Sequence, residues 1–327
     1  MDKVAALPAS ERQELFSESA VRRGMTPAIV EKDFWVCWTL SKLFSHADLS
    51  RLLMFKGGTS LSKVFNLIER FSEDIDLILD WRIVAGVDPL AVRSNSKQDT
   101  LNKEMNEQAQ EYIAGDIASM VSSVIAPVCS CSVDSSDGHV LNIRYPAAFS
   151  DKYLRPEVRL EIGPLASWFP FDHYQITPYA AEAFPSVFVN PKCIVHAIKA
   201  ERTFWEKATI LHHEANRPVE AVQPARYSRH YYDLAMMASS AVKEVALSDL
   251  SQLGDVVAFK MRFYRRGWAR YDLAKPGTLK LIPEAHVLAA VRQDYADMRN
   301  MIFGRYPDFD KILTTLQSLE DEINTLA

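Results

Sequence analysis

In the run Ser72-Glu73-Asp74-Ile75-Asp76, two carboxylates stand two residues apart. Positions two apart on a strand share a side, so Asp74 and Asp76 are predicted to project together while Ile75 and Leu77 turn to the core. Paired carboxylates repel, and a dry setting raises one pKa. A bound Mg²⁺ removes that cost and favours such oxygen ligands. Upstream, Gly57-Gly58 falls between the apolar run Leu52-Leu53-Met54-Phe55 and a helical pattern of Leu61, Val64, Phe65 and Ile68. A glycine pair between a strand and a helix start lets backbone N–H groups surround a phosphate, because a glycine backbone approaches a ligand closely. Each part has an ordinary alternative: the glycines as a turn, the acids as the wet face of an edge strand. Their order points to chemistry. A phosphate loop, one amphipathic helix and then Asp-x-Asp on the next strand set a metal site beside a triphosphate, as two-metal transfer requires.

The elements that must position these residues read as a mixed α/β N-terminal half followed by a helical C-terminal half. Ser10 can cap a helix over 11–23 that stops at Gly24, and Thr26-Pro27 opens a second with Ile29, Val36, Leu40 and Leu43 on one stripe. Residues 75–79 form the next strand, 92–99 a polar loop and roughly 100–122 a helix. Residues 128–133 and 139–145 flank Asp134-Ser135-Ser136-Asp137-Gly138, a hairpin signal, and 157–162 alternates as a further strand. Helices are expected at 192–215, 228–241, 284–303 and 307–326. Pro185 and Pro191 mark the expected boundary, giving a catalytic domain at 1–190 and a helical domain at 191–327 that completes a nucleotide and acceptor cleft.

The 327 residues, 48% hydrophobic and 24% charged, suit a globular chain with a sizeable core. No apolar stretch approaches the ~18 residues of a membrane span, and the segment from Met1 to Pro8 is too polar for a signal peptide. Cys37, Cys129, Cys131 and Cys193 are spaced unlike a disulfide framework or a zinc knuckle, so the expected compartment is the cytoplasm. His212-His213 is no metal pair, since adjacent helical residues do not share a face. A net charge of −5 leaves any nucleic-acid contact to a local basic surface. Residues 260–280 offer one, with Arg262, Arg265, Arg266, Arg270 and Lys275 interleaved with Phe263, Tyr264, Trp268 and Tyr271. Charge for phosphates with rings for stacking suits RNA; the alternative is aromatic core and solvated arginines.

The run Phe55-Lys56-Gly57-Gly58-Thr59-Ser60-Leu61-Ser62-Lys63, with Arg70-Phe71-Ser72-Glu73-Asp74-Ile75-Asp76-Leu77, resembles the signature of the AbiEii/AbiGii-type toxins. These are nucleotidyltransferases of the DNA polymerase β-like superfamily, found in type IV toxin–antitoxin and abortive-infection systems. Glu31-Lys32-Asp33-Phe34-Trp35 is similar to that family as well. Gly58-Thr59 stands where the wider superfamily has Gly-Ser, with the hydroxyl kept. The resemblance implies an α/β (α+β) fold: a polymerase β-like N-terminal domain with a mixed sheet, then a helical C-terminal domain. It implies Mg²⁺-dependent transfer of NMP from an NTP to an RNA acceptor, a tRNA 3′ end, blocking translation and growth, and a cognate antitoxin encoded nearby.

Carried over residue by residue, the resemblance implies catalytic roles for Asp74, Asp76, Lys207 and Asp233. Nucleotide contacts fall to Gly57, Gly58, Thr59, Ser72 and Lys207, and metal ligation to Asp74, Asp76 and a third carboxylate. Glu161 suits the third place, since Leu160 and Ile162 alternate against it, with Glu157 the other candidate. Lys207 lies on an apolar stripe with Phe204 and Leu211, where an ammonium needs an anion or a route to water; the family places a lysine of this half on the nucleotide phosphates. Asp233, in Arg229–Asp233–Leu234 spacing, orients Lys207 or the acceptor, or forms a helical pair with Arg229. Modification of a protein or small molecule, and a non-catalytic nucleotide-binding toxin, remain open. Arg262, Arg265, Arg266 and Arg270 are the candidate RNA contacts.

Overall fold

Strand residues alternate between two faces, and in the first of two contact-defined units, Met1–Val64 with Phe71–Ile198, that alternation builds a seven-stranded mixed sheet. The computed structural model describes residues 1–72, 74–150 and 155–326; Glu73 lies outside them. The strands are β1 (Leu53–Lys56), β2 (Asp74–Leu79), β3 (Ser130–Val133), β4 (Val140–Arg144), β5 (Glu157–Gly163), β6 (Phe171–Ile176) and β7 (Cys193–Ile198). Their order is β3-β4-β5-β2-β1-β7-β6, with β5 parallel to β2 and β7 parallel to β1. The helices of this unit are α1 (Asp2–Ala5), α2 (Ala9–Arg23), α3 (Pro27–Ser45), α4 (Ala47–Leu52), α5 (Gly57–Lys63), α6 (Asn95–Tyr112), α7 (Ala118–Ile125) and α8 (Tyr179–Ala183).

One face of the sheet is the core. Phe55, Ile75, Leu77, Leu141, Ile143, Val158, Leu160, Ile162 and Val195 are buried there with Phe34, Trp35 and Leu40 of α3. The opposite face carries Asp74, Asp76, Arg159 and Glu161, all half-buried, while Met54, Ile78 and Ile198 pack in a separate small cluster with Trp168 and Phe171. As the spacing predicts, Thr26 caps α3 by accepting from the Ile29 N–H, with Pro27 in the first turn.

The second unit joins residues 65–70 to 199–327. It consists of α9 (Ala200–Ala215), α10 (Ser228–Ala238), α11 (Ala241–Ser248), α12 (Ser251–Phe263), α13 (Ala285–Asp297) and α14 (Phe309–Asn324). A β-bridge from Arg70 to Ile302 and an N–H···O bond of 3.0 Å from Phe303 to Glu69 fix the 65–70 segment within it.

Four elements differ from the sequence expectation, the first being α2, which starts at Ala9 after Pro8, so that Ser10 lies inside the helix and does not cap it. The helix expected over 192–215 is β7 followed by α9: Cys193, Val195 and Ala197 are buried in alternation with exposed or half-buried Ile194 and His196, a period of two that a helix would not keep. The helix expected from about 100 starts at Asn95, because Ser94 caps it by accepting from the Lys97 N–H, and it runs through one π-turn (Ile113–Ile117) into α7. The helix after the glycine pair ends at Lys63, and Asn66 adopts a positive φ of 52°. Among the described residues, no helix is long and apolar enough to cross a membrane, and Cys37, Cys129, Cys131 and Cys193 are free thiols.

Candidate active site

The register of the central strands decides which charges meet. Asp74 lies opposite Arg159 and Asp76 opposite Glu161 across the parallel β2–β5 pair, while Lys56 lies opposite Asp76 across the antiparallel β1–β2 pair. Paired residues point to the same side of a sheet, so Asp74, Asp76, Glu161, Arg159 and Lys56 share one face. Glu157 is on that face at the start of β5, two residues further from Asp76 than Arg159 is. Arg159 sits among the acids: its Nη1 donates to Asp134 Oδ2 at 3.2 Å, its Nε is 3.5 Å from Asp74 Oδ1 and its Nη2 is 4.0 Å from Glu161 Oε1. Among the described residues, no three His, Cys, Asp or Glu side chains converge as a metal-ligand cluster.

Gly57 sits against the acid face. Its φ is +80°, and a Cβ built there would stand 2.0 Å from Asp76 Oδ2. The position therefore requires glycine twice over, for its backbone angle and for the carboxylate in contact with it. Thr59 is buried, and its hydroxyl donates to the backbone carbonyl of Asp74. The hydroxyl that the sequence assigns to nucleotide binding thus ties α5 to the strand bearing the acids. Ser60 Oγ closes the turn by donating to the Gly57 carbonyl at 2.8 Å. Gly58 is buried and Ser72 half-buried, just ahead of β2.

Charges buried in α3 support this face from the core side. Asp33 pairs with Lys63, the last residue of α5, at 2.7 Å, with both side chains almost fully covered. Burial alone would lower the Lys63 pKa, but Asp33 outweighs it and raises the pKa above the ordinary lysine value. Lys32 donates to the backbone carbonyls of Arg155, at 3.0 Å, and Glu157, at the start of β5. Glu31 accepts from the Ala148 N–H at 2.7 Å and the Phe149 N–H at 3.1 Å, and burial raises its pKa.

The second unit holds Lys207 and Asp233 in direct contact. Lys207 Nζ is 2.7 Å from Asp233 Oδ2, and Arg70 grips the same carboxylate with Nε to Oδ1 at 2.6 Å and Nη2 to Oδ2 at 2.7 Å. Of the alternatives for Asp233, its contact with Lys207 is made, and the guanidinium it receives is that of Arg70. All three side chains are buried. Burial would raise the Asp233 pKa, but Arg70 and Lys207 together hold it far below the ordinary carboxylate value. Two cations share one carboxylate, so the Lys207 pKa is lowered, by burial first, with Asp233 pulling it back and Arg70 adding to the drop. His230 Nδ1 is 3.4 Å from the ammonium, and its pKa is driven well down by burial and by Lys207. It is therefore neutral.

The basic stretch divides by side chain. Phe263 and Tyr271 are core, as the alternative reading has it, whereas Tyr264, Arg265, Arg266, Arg270 and Lys275 are exposed and Arg262 is half-buried. Arg270 pairs with Asp272 at 3.1 Å. Trp268 is half-buried, flanked by His213 at 4.4 Å between ring centroids and by Arg217 at 4.9 Å.

The sequence reading assigned no role to Arg70, Arg159, Asp134 or His230. Arg159 was within its reach: it stands two residues before Glu161 on the same strand, so the parity that selects Glu161 selects Arg159 too. Arg70 offered no such signal, since its partner Asp233 lies 163 residues away, and Asp134 was read only as part of a hairpin turn.

The family model for the nucleotidyl transferase AbiEii toxin, type IV TA system, matches residues 38–315. No curated protein matches the chain. Among solved structures, the chain is similar to MenT4, a nucleotidyltransferase toxin from Mycobacterium tuberculosis H37Rv, at 17% identity over 98% of this chain and 99% of that one, with a TM-score of 0.45. It is also similar to an H. pylori protein solved as a candidate nucleotidyltransferase, at 14% identity over 91% and 97% of the two chains, with a TM-score of 0.39. With the family match spanning well over half of its length, this chain belongs to the AbiEii family of nucleotidyltransferase toxins.

Proposed function

We propose that this protein is a metal-dependent toxin that transfers a nucleoside monophosphate from an NTP to an RNA acceptor, a tRNA 3′ end, and thereby stops translation and growth. The observation that carries the reading is the single sheet face on which Asp74, Asp76 and Glu161 stand in register, with the Gly57 backbone against Asp76. The donor set fits Mg²⁺: carboxylate oxygens from adjacent strands are the hard ligands this ion prefers. Asp74, Asp76 and Glu161 would hold it. When bound, the metal supplies charge for activating the attacking hydroxyl and stabilising the departing pyrophosphate. Gly57, Gly58, Thr59 and Ser72 are assigned to the nucleotide, with the backbone N–H groups of the glycine pair as phosphate donors and Thr59 tying that loop to β2. Lys207 is assigned to the phosphates and Asp233 to its positioning; two buried cations on one carboxylate favour an added anion. Exposed Arg265, Arg266 and Arg270, with half-buried Arg262 and the ring of Tyr264, are assigned to RNA. The cognate antitoxin is the further partner expected for a type IV system.

The test is incubation of purified protein with each labelled NTP, Mg²⁺ and total RNA, resolved on a gel. Label in the tRNA band that disappears with Asp76→Ala supports the proposal. Label in protein or in small molecules of a lysate instead moves the acceptor elsewhere, and an Asp76→Ala protein of undiminished toxicity refutes the enzymatic mechanism.

A further inference from the structure

Arg159 occupies a position that the transfer reaction has so far given no use. Its guanidinium reaches three carboxylates unequally, with a hydrogen bond of 3.2 Å to Asp134, a looser 3.5 Å contact to Asp74 and a 4.0 Å separation from Glu161. The residue that holds it best is the one that stands outside the catalytic set. Asp134 is itself braced: Oδ1 accepts from the Ser136 N–H at 2.9 Å and the Ser136 hydroxyl at 2.6 Å, and Oδ2 accepts from Asn142 Nδ2 at 2.9 Å. Asn142 in turn is the register partner of Arg159 across β4 and β5. These bonds, those from Ser136 first, keep the Asp134 carboxyl well below the ordinary range and hence ionised.

We propose that Arg159 is the resident counter-ion of the carboxylate site, displaced from Asp74 and Glu161 when a divalent cation binds, and that Asp134 is the seat that keeps the guanidinium at the rim. The inference rests on the metal reading above. Like charges on one sheet face repel, and a planar guanidinium with five donors relieves that repulsion among several carboxylates at once. The same contacts compete with a cation for the same oxygens. A side chain held only by the ligands would have to give up every partner on displacement. Asp134 removes that penalty, because the shortest of the three contacts survives.

The two residues therefore act in opposite directions on metal affinity. Titration calorimetry of the full chain with Mn²⁺ reads this directly, without turnover. Arg159→Met is expected to bind Mn²⁺ tenfold or more tighter, about 1.4 kcal/mol, and Arg159→Lys to lie between it and wild type. Asp134→Asn is expected to bind severalfold more weakly, because the guanidinium, deprived of its seat, closes on Asp74. Unchanged or weaker binding by Arg159→Met, or tighter binding by Asp134→Asn, overturns the proposal. Asp76→Asn separates the two layers. If wild type binds no Mn²⁺, or if Asp76→Asn binds it as wild type does, the metal reading fails and the counter-ion role with it. If binding requires Asp76 but ignores Arg159, only the counter-ion role fails.

Discussion

Asp233→Ala would take from two buried cations of the second unit the carboxylate they share. The substitution removes three charge-assisted contacts, of 2.6, 2.7 and 2.7 Å, and leaves Arg70 and Lys207 with side chains only 3% and 8% exposed. Removing one partner of a buried ion pair costs about 3–5 kcal/mol. Total stabilities run to roughly 5–15 kcal/mol, so the loss is a large share. Lys207→Met behaves differently: it keeps the two-pronged Arg70–Asp233 pair and deletes the cation that burial already disfavours, so about 1 kcal/mol or less is expected. The double variant Asp233→Ala/Lys207→Met is then more stable than Asp233→Ala alone, since one buried charge has gone. Urea unfolding followed by circular dichroism, fitted as a double-mutant cycle, measures all four proteins. The depressed pKa of Asp233 adds a pH signature. Its contribution is complete above the unfolded carboxylate value of about 4 and is lost as pH falls through the folded value, so Asp233→Asn lacks that part of the acid slope. An Asp233→Ala cost below about 1 kcal/mol, or a double variant that simply sums the singles, refutes the reasoning. Asp233 would then serve only the reaction.

Gly57→Ala places a Cβ at φ +80°, against the Asp76 carboxylate. A strain of about 1–2 kcal/mol leaves the fold intact by circular dichroism, while a displaced Asp76 lowers nucleotide transfer by about a hundredfold; transfer near the wild-type rate excludes any role for this close packing. His213 has its pKa lowered to about 3, by burial first and then by Lys260, Arg266 and Arg217. The unfolded state, titrating near 6.5, binds the proton more readily. Stability attributable to this site is therefore full above pH ~6.5 and falls as pH drops toward 3. Between pH 6.5 and 4.5, wild type is expected to lose about 2 kcal/mol more than His213→Phe, and parallel urea-unfolding curves for the two proteins would contradict this. Arg265→Ala/Arg266→Ala should weaken RNA binding and reduce the slope of log affinity against log salt by up to about 1.4 if both arginines meet phosphates; an unaltered slope places the RNA elsewhere.

The sequence made the acid face legible because a period of two is a strong geometrical statement. Burial of Ile75 and Leu77 in the core, with Asp74 and Asp76 on the other face, follows from parity alone. Parity also put Glu161 on the right face, but only the register of β5 against β2 sets it beside Asp76, and no spacing within one strand encodes register. Two helix ends were misjudged where a side chain or backbone angle acted locally, at Ser94 and Asn66. Lys207 drew attention as a charge on an apolar stripe, and its partner Asp233 was nominated from the family resemblance. The arginine that completes the cluster lies 163 positions from Asp233 in the chain. Long-range ion pairs of this kind leave no periodic trace.

Glu31, Lys32 and Asp33 show why such pairs resist sequence reasoning and still matter to the site. Consecutive residues on a helix are turned by about 100°, so three charges in a row point three ways, and a helix lying on a surface would leave at least one in water. All three are buried, which means that α3 is enclosed around its circumference at this turn. A buried charge is tolerated only with partners, and each of these finds its own. Glu31 takes the backbone N–H groups of Ala148 and Phe149. Lys32 takes the carbonyls of Arg155 and Glu157, where β5 begins its run to Arg159 and Glu161. Asp33 takes Lys63, at the far end of the helix that starts at Gly57. One helical turn thus holds both the strand that supplies Glu161 and the helix that follows the glycine loop, each by a charge whose release into the core would cost several kcal/mol. The spacing between the glycine loop and the carboxylate strands is thus supported from behind the sheet as well as by the Thr59 hydroxyl on the Asp74 carbonyl.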